Sequence, residues 1–203
     1  MWPGSRAGIR RELVRIVTRS RYLGSWRIDL TVREGVRVPV PAAVLARAIV
    51  AAAEAAGAPS PASVGLILSD DTELAELNGA HLGKSGPTDV LSFPLLPPDV
   101  FVEHTGRPNR ATTTRATGPT MAFSLPPGRR PHLGDIAISV ERAIEQAQAG
   151  RGGQTGDVRW SPADELRLLA THGTLHLCGW DHAEPAEEAA MRSLEARLLA
   201  RVG

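Results

Sequence analysis

The chain has one cysteine in 203 residues, which excludes an internal disulfide and fits a reducing, cytoplasmic setting. It also lacks any apolar run near the roughly 20 residues that cross a bilayer. Its Arg-studded start has no apolar secretory core, so no membrane association is expected. Internal repeats are absent, and lysine occurs once, at Lys84. What is present is ordinary for one globular domain: 42% hydrophobic and 22% charged residues.

The formal charge of +1 conceals an uneven distribution. Residues 1–25 hold six arginines against Glu12, and residues 104–132 hold five arginines and no acid, so each segment carries +5 and the remainder of the chain −9. Two basic segments joined to an acidic body can form a local anion-binding surface. Two solvated, disordered segments fit the same numbers.

Residues 8–23 place Ile9, Leu13, Ile16 and Val17 on one side of a basic amphipathic helix, and a disordered extension fits them equally. The folded domain is expected over residues 26–203. It opens at "WRIDLTV", where Ile28, Leu30 and Val32 alternate with polar residues as in a half-buried strand. Pro41 opens an Ala-rich helix that Gly57 ends. "SVGLILS" (63–69) reads as a strand, followed by a helix from Asp70 with Glu73 completing a capping box and Leu74, Leu77 and Leu82 along its apolar side. "GKSGPTDVLSFP" is a turn and a short strand that Pro94 stops or pushes to an edge. Residues 97–131 read as an inserted loop. "HLGDIAIS" (132–139) is a strand, "VERAIEQAQAG" a helix and "RGGQTGD" a linker. Ser161 and Pro162 cap and open a further helix for which Gly179 is the natural C′ residue. A last amphipathic helix starts near Pro185 and packs through Met191, Leu194, Leu198 and Leu199.

Three of the six histidines fall in "THGTLHLCGWDH", Thr171 to His182. On a helix His172 and His176 lie about 40° apart around the axis and one turn apart along it. The turn after Gly179 can swing His182 back toward them. H-x3-H-x5-H then supplies three neutral nitrogen ligands and leaves a tetrahedral zinc one open position. Zinc is the first choice, with one ion per chain, although imidazole ligands also suit nickel, copper or manganese. Cys178, about 200° round the helix from His176, should face the core. Asp181 is placed to orient a ligand. The helix differs from the H-E-x-x-H of zinc proteases, because Gly173 stands where their general base would be.

"HGTLHLCGWDH" resembles the H-G-x-L-H-L-x-G-[YW]-D-H signature of the YbeY family of bacterial endoribonucleases. "LN…GPTDVLSFP" (77–94) and "LGDIAIS" (133–139) resemble two further blocks of that family in the same order. The resemblance covers about residues 26–200 without the insertion. It implies a single α+β domain with a mixed sheet of about four strands packed with helices, of zincin-like metallohydrolase architecture. It also implies a three-histidine metal site and a metal-dependent, single-strand-specific endoribonuclease. The work implied is ribosomal RNA maturation, at the 3′ end of the small-subunit RNA, and ribosome quality control. The partners implied are ribosomal RNA and the ribosome, with ribosomal proteins or assembly GTPases beside them.

One position departs from the family. An arginine usually precedes the G-K of the turn block, and this chain has Leu82 there. Lys84, on the same turn, is the available point charge for a phosphate, unless it is simply a solvated turn residue. Thr88, Asp89, Ser92, Gly134 and Asp135 read as structural. Two other functions stay open: a metallohydrolase for a different substrate, and a non-catalytic, metal-stabilised ribosome assembly factor.

Overall fold

The computed structural model describes residues 17–101, 130–150 and 160–201. The sequence readings for residues 1–16, for 102–129 of the insertion and for the "RGGQTGD" linker lie outside these residues. The described elements are strands β1 (Val17–Leu23), β2 (Trp26–Val32), β3 (Ala62–Ser69), β4 (Val90–Pro94) and β5 (His132–Ser139). The helices are α1 (Ala42–Ala55), α2 (Asp71–Leu82), α3 (Val140–Ala149), α4 (Pro162–Leu177) and α5 (Pro185–Arg201).

The strands form one mixed sheet in the order β1-β2-β3-β5-β4. The inner pairs β2–β3 and β3–β5 are parallel, and the outer pairs β1–β2 and β4–β5 antiparallel. Residues of β3 are buried at nearly every position, as a central parallel strand covered on both faces requires. On one face Val64, Leu66, Ile136 and Ile138 meet Leu45 and Ile49 of α1 and Leu166, Leu169 and Leu175 of α4. On the other, α2 lays Leu74 over Leu91 and Ala137. α4 is therefore the central helix, lying against the sheet with α1, α3 and α5 around it.

Among the described residues five strands, rather than about four, make the sheet, and the additional one corrects the helical reading of residues 8–23 over its described part, 17–23. Val17–Leu23 is a strand in full register with β2, closed by a two-residue turn at Gly24 and Ser25 with Gly24 at φ 58°. Over this span helical spacing loses to cross-strand bonding, including Thr18 to Thr31 at 2.9 Å and Ser20 to Asp29 at 2.5 Å. The sheet thus begins at Val17, before the boundary expected at residue 26. The start of the insertion is also anchored, since Phe101 is buried in the main core after a 3-10 turn at Pro98–Val100.

Two smaller readings change at α2. Asp70 caps the helix by accepting the Glu73 backbone N–H at 2.9 Å, but the Glu73 carboxylate goes to Arg33 and Ser69 instead of returning to the cap. Leu82 is 55% exposed, because Gly83 ends the helix in a left-handed conformation before that side chain reaches the core.

Candidate metal centre and adjoining groove

Local sequence fixes where α4 starts and stops. Ser161 and Asp164 form a reciprocal capping box with Pro162 in the first turn. At the other end Gly179, at φ 82°, turns the chain back, and its N–H and that of Trp180 bond to the His176 and Leu175 carbonyls. That reversal carries His182 to the two helical histidines. Ligand-capable atoms of His172, His176 and His182 lie within 4.8 Å of one another. The ring centroids are 4.5, 5.0 and 5.5 Å apart. His172 and His176 are partly buried and His182 is exposed, so the cluster opens to solvent on one side.

The hydrogen bonds of the two helical rings assign their tautomers. His172 Nδ1 faces Glu195 Oε1 at 2.7 Å, and His176 Nδ1 faces the Trp180 carbonyl at 2.9 Å. Both partners accept, so each ring donates from Nδ1, and in the neutral imidazole that leaves Nε2 as the lone-pair nitrogen. These two Nε2 atoms face each other at 3.0 Å. With both rings in that neutral form, two lone pairs so close repel unless a proton or a cation lies between them. A proton is a poor choice at His176, whose pKa is lowered to about 4 chiefly by burial and then by the neighbouring His172. A cation coordinated by neutral imidazoles fits this donor set, and three protein nitrogens are what a catalytic zinc-type site supplies.

Cys178 is no part of the cluster. It is fully buried at the helix end, and burial pushes its thiol up to about 12, so it stays protonated. Asp181 does not meet an imidazole by hydrogen bond: its Oδ1 accepts the backbone N–H of His182 at 2.8 Å and braces the turn. The orienting part assigned to it is filled by Glu195 for His172 and by the Trp180 carbonyl for His176. Glu195 escaped the sequence reading although a signal was present. It falls four residues after Met191 and three before Leu198, both core residues, so a carboxylate sits on the buried stripe of α5 and requires a partner.

Gly173 explains the missing protease glutamate. A Cβ built there would lie 2.7 Å from Ile136 Cγ2 and 3.1 Å from Ser92 Oγ, and Ser92 Oγ donates to the Gly173 carbonyl at 3.1 Å. Helix and sheet touch at this point, and no side chain fits between them. Asp89 is held by Thr88 Oγ1, the Val90 N–H and Gln146 Nε2, consistent with the structural reading of the turn block. Gly134, at φ 142°, admits the close approach of the Phe93 carbonyl, and Asp135 pairs with His132 at 3.1 Å. Lys84 and Leu82 are exposed around the end of α2, and His81 sets its ring against Phe93 with centroids 4.9 Å apart.

A groove of about 610 Å³ opens beside the cluster. His172 and His182 line it together with Asp89 and Val90, residues of α4 and α5, and Trp160. Lys84 is not among the described residues that line it.

The chain matches the family described as Endoribonuclease YbeY over residues 36–203. An Endoribonuclease YbeY of Salinispora tropica is 42% identical over 140 residues, 68% of this chain and 73% of that protein. Those of a Roseiflexus species and of Chloroflexus aurantiacus are 34% and 35% identical, covering 87% and 88% of this chain and 92% and 96% of theirs. The solution structure of TM1509 from Thermotoga maritima has the same fold, with a TM-score of 0.50 at 22% identity, over 86% of this chain and 88% of that one.

Proposed function

Because the chain belongs to the Endoribonuclease YbeY family, we propose that it is a metal-dependent endoribonuclease whose ion is held by His172, His176 and His182. The observation that carries the metal is the pair of opposed Nε2 lone pairs at 3.0 Å, each ring fixed by an acceptor behind it. Zinc is the preferred ion, as one per chain, from three imidazole donors. When bound, the ion supplies Lewis acidity to the phosphoryl oxygens and activates the attacking oxygen.

The chain's own groups do the remainder. Burial keeps His176 neutral at physiological pH and therefore able to donate its lone pair. Glu195 and the Trp180 carbonyl hold the two helical rings by their Nδ1 protons, and Asp181 fixes the backbone that presents His182. Exposure of His182 leaves the site open on the side of the groove. A peptidase mechanism lacks its base, since Gly173 has no room for a side chain. Lys84, exposed and not among the described residues lining the groove, keeps the part of a point charge for RNA phosphate.

The RNA proposed is precursor ribosomal RNA, cut in a single-stranded segment during maturation of the small-subunit 3′ end, with the ribosome as the wider partner. Family membership supports this reading. The test incubates the purified protein with single-stranded and structured RNA, with and without a chelator, beside His176→Ala. Cleavage is expected only with metal and intact histidines. Chelator-resistant cleavage, or full activity in His176→Ala, would sink the metal assignment.

A further inference from the structure

The groove between α4 and α5 has a composition that the metal cluster does not require. The two helices run antiparallel, since Arg167 Nη2 reaches the Leu199 carbonyl at 2.8 Å while His172 reaches Glu195 at 2.7 Å. The groove follows them from the histidines toward the N-terminus of α4, roughly 15 Å of helix axis. Leu168, Leu169, Met191 and Leu199 give it an apolar lining. Trp160 completes the wall, its indole N–H anchored on Glu165 at 2.6 Å.

The charged groups along the groove are of the wrong sign for a phosphate track. Asp89, Glu188 and Glu195 bring carboxylates, and among the described lining residues the one arginine, Arg192, is paired with Glu188 at 2.5 Å. A sugar-phosphate backbone laid inside would be repelled and would leave the apolar wall uncovered. Unstacked bases suit both features: they bury flat apolar faces and carry no charge. Because His172 and His182 belong to the same lining, a strand seated this way would be presented to the metal centre.

We infer that the α4–α5 groove is a nucleobase-binding subsite that takes unpaired bases of the RNA being cut, one of them stacked on Trp160, with the phosphates turned outward. It rests on the endoribonuclease reading above and adds a physical source for single-strand preference. Paired bases in a duplex cannot enter the groove without being pulled from their stack.

The test measures binding of a 2′-O-methyl single strand of about ten nucleotides, which resists cleavage, and of the same backbone made without bases. Wild type is compared with Trp160→Leu and Trp160→Phe, and metal content is measured for each. Trp160→Leu should bind the normal strand roughly 5- to 150-fold more weakly, the worth of one base–aromatic stack. It should bind the abasic strand as wild type does and keep its metal. Trp160→Phe loses the bond to Glu165 but keeps a ring, and should retain most of the affinity. Ala196→Trp, at an exposed groove position, should block the same binding without disturbing Trp160. Equal affinity of wild type, Trp160→Leu and Ala196→Trp for the normal strand, or equal losses on the abasic one, overturns the subsite while cleavage by the wild type leaves the enzyme reading intact. Wild-type protein that neither binds nor cuts RNA would overturn both.

Discussion

Gly173 stands where the sequence could as easily have carried a base, and its neighbours decide what it permits. A methyl at this position would press on Ile136, so Gly173→Ala should cost about 1–3 kcal/mol in a denaturant melt, the usual scale of overpacking. Glu195 makes a sharper residue-scale case. Glu195→Ala should weaken metal binding by about 10–100-fold, measured by competition with a chelating dye, and Glu195→Gln by less, because its carbonyl still accepts the His172 proton. Asp181→Asn, which changes only a turn contact, should weaken metal binding less than Glu195→Ala does. At Cys178, burial and a thiol pushed up to about 12 predict no alkylation by iodoacetamide at pH 8 in the native protein and full alkylation in urea. Labelling of the native protein at the unfolded rate would contradict the buried placement.

Among the elements, the junction of β2 with α2 is tied by charge. Glu73 meets Arg33 through two hydrogen-bonded nitrogens and also receives the Ser69 hydroxyl. Its carboxyl is held below the usual value of 4.5, first by Arg33, against an opposing effect of burial. A depressed folded-state pKa means that the unfolded chain binds the proton more readily. The stabilisation is therefore full above about pH 4.5 and is lost as pH falls through the lower folded value. Glu73→Gln should lower stability by about 0.5–1 kcal/mol at pH 7, and the gap from wild type should narrow as pH falls below about 4.5. A gap unchanged across that range would show that the pair contributes nothing. At the α4 cap, Ser161→Ala should cost about 1 kcal/mol by loss of the bond to the Asp164 N–H.

For the whole molecule, the charge distribution and the five-stranded sheet bear on how RNA is approached. Arg19 and Arg21 are exposed on the edge strand β1, so part of the N-terminal basic segment belongs to the folded body. Removing residues 1–16 takes four arginines while sparing β1. If those arginines neutralise phosphates, the slope of log affinity against log salt should flatten by about 0.7 for each phosphate left without its arginine, with metal content unchanged. Identical slopes would assign the electrostatic attraction to other parts of the chain. Removing residues 1–23 instead should also destabilise the protein, since it strips the partner from β2 and exposes a new sheet edge.

The sequence by itself determined what local physics can set. The capped ends of α4, the i,i+4 pair His172 and His176, the glycine turn toward His182 and the buried strand β3 all depend on residues within a few positions of one another. The β1–β2 hairpin left a signal too, in the Gly24–Ser25 pair between two runs, but over Val17–Leu23 a helical spacing competed with it and cross-strand bonding won. Tertiary structure alone decided that Glu195, 23 residues from His172, would hold its ring, because that pairing exists only once α5 lies antiparallel on α4. The same packing opened the groove, closed the space at Gly173 and left Lys84 outside it. Contacts of this kind depend on how elements meet, and no spacing along one element contains that information.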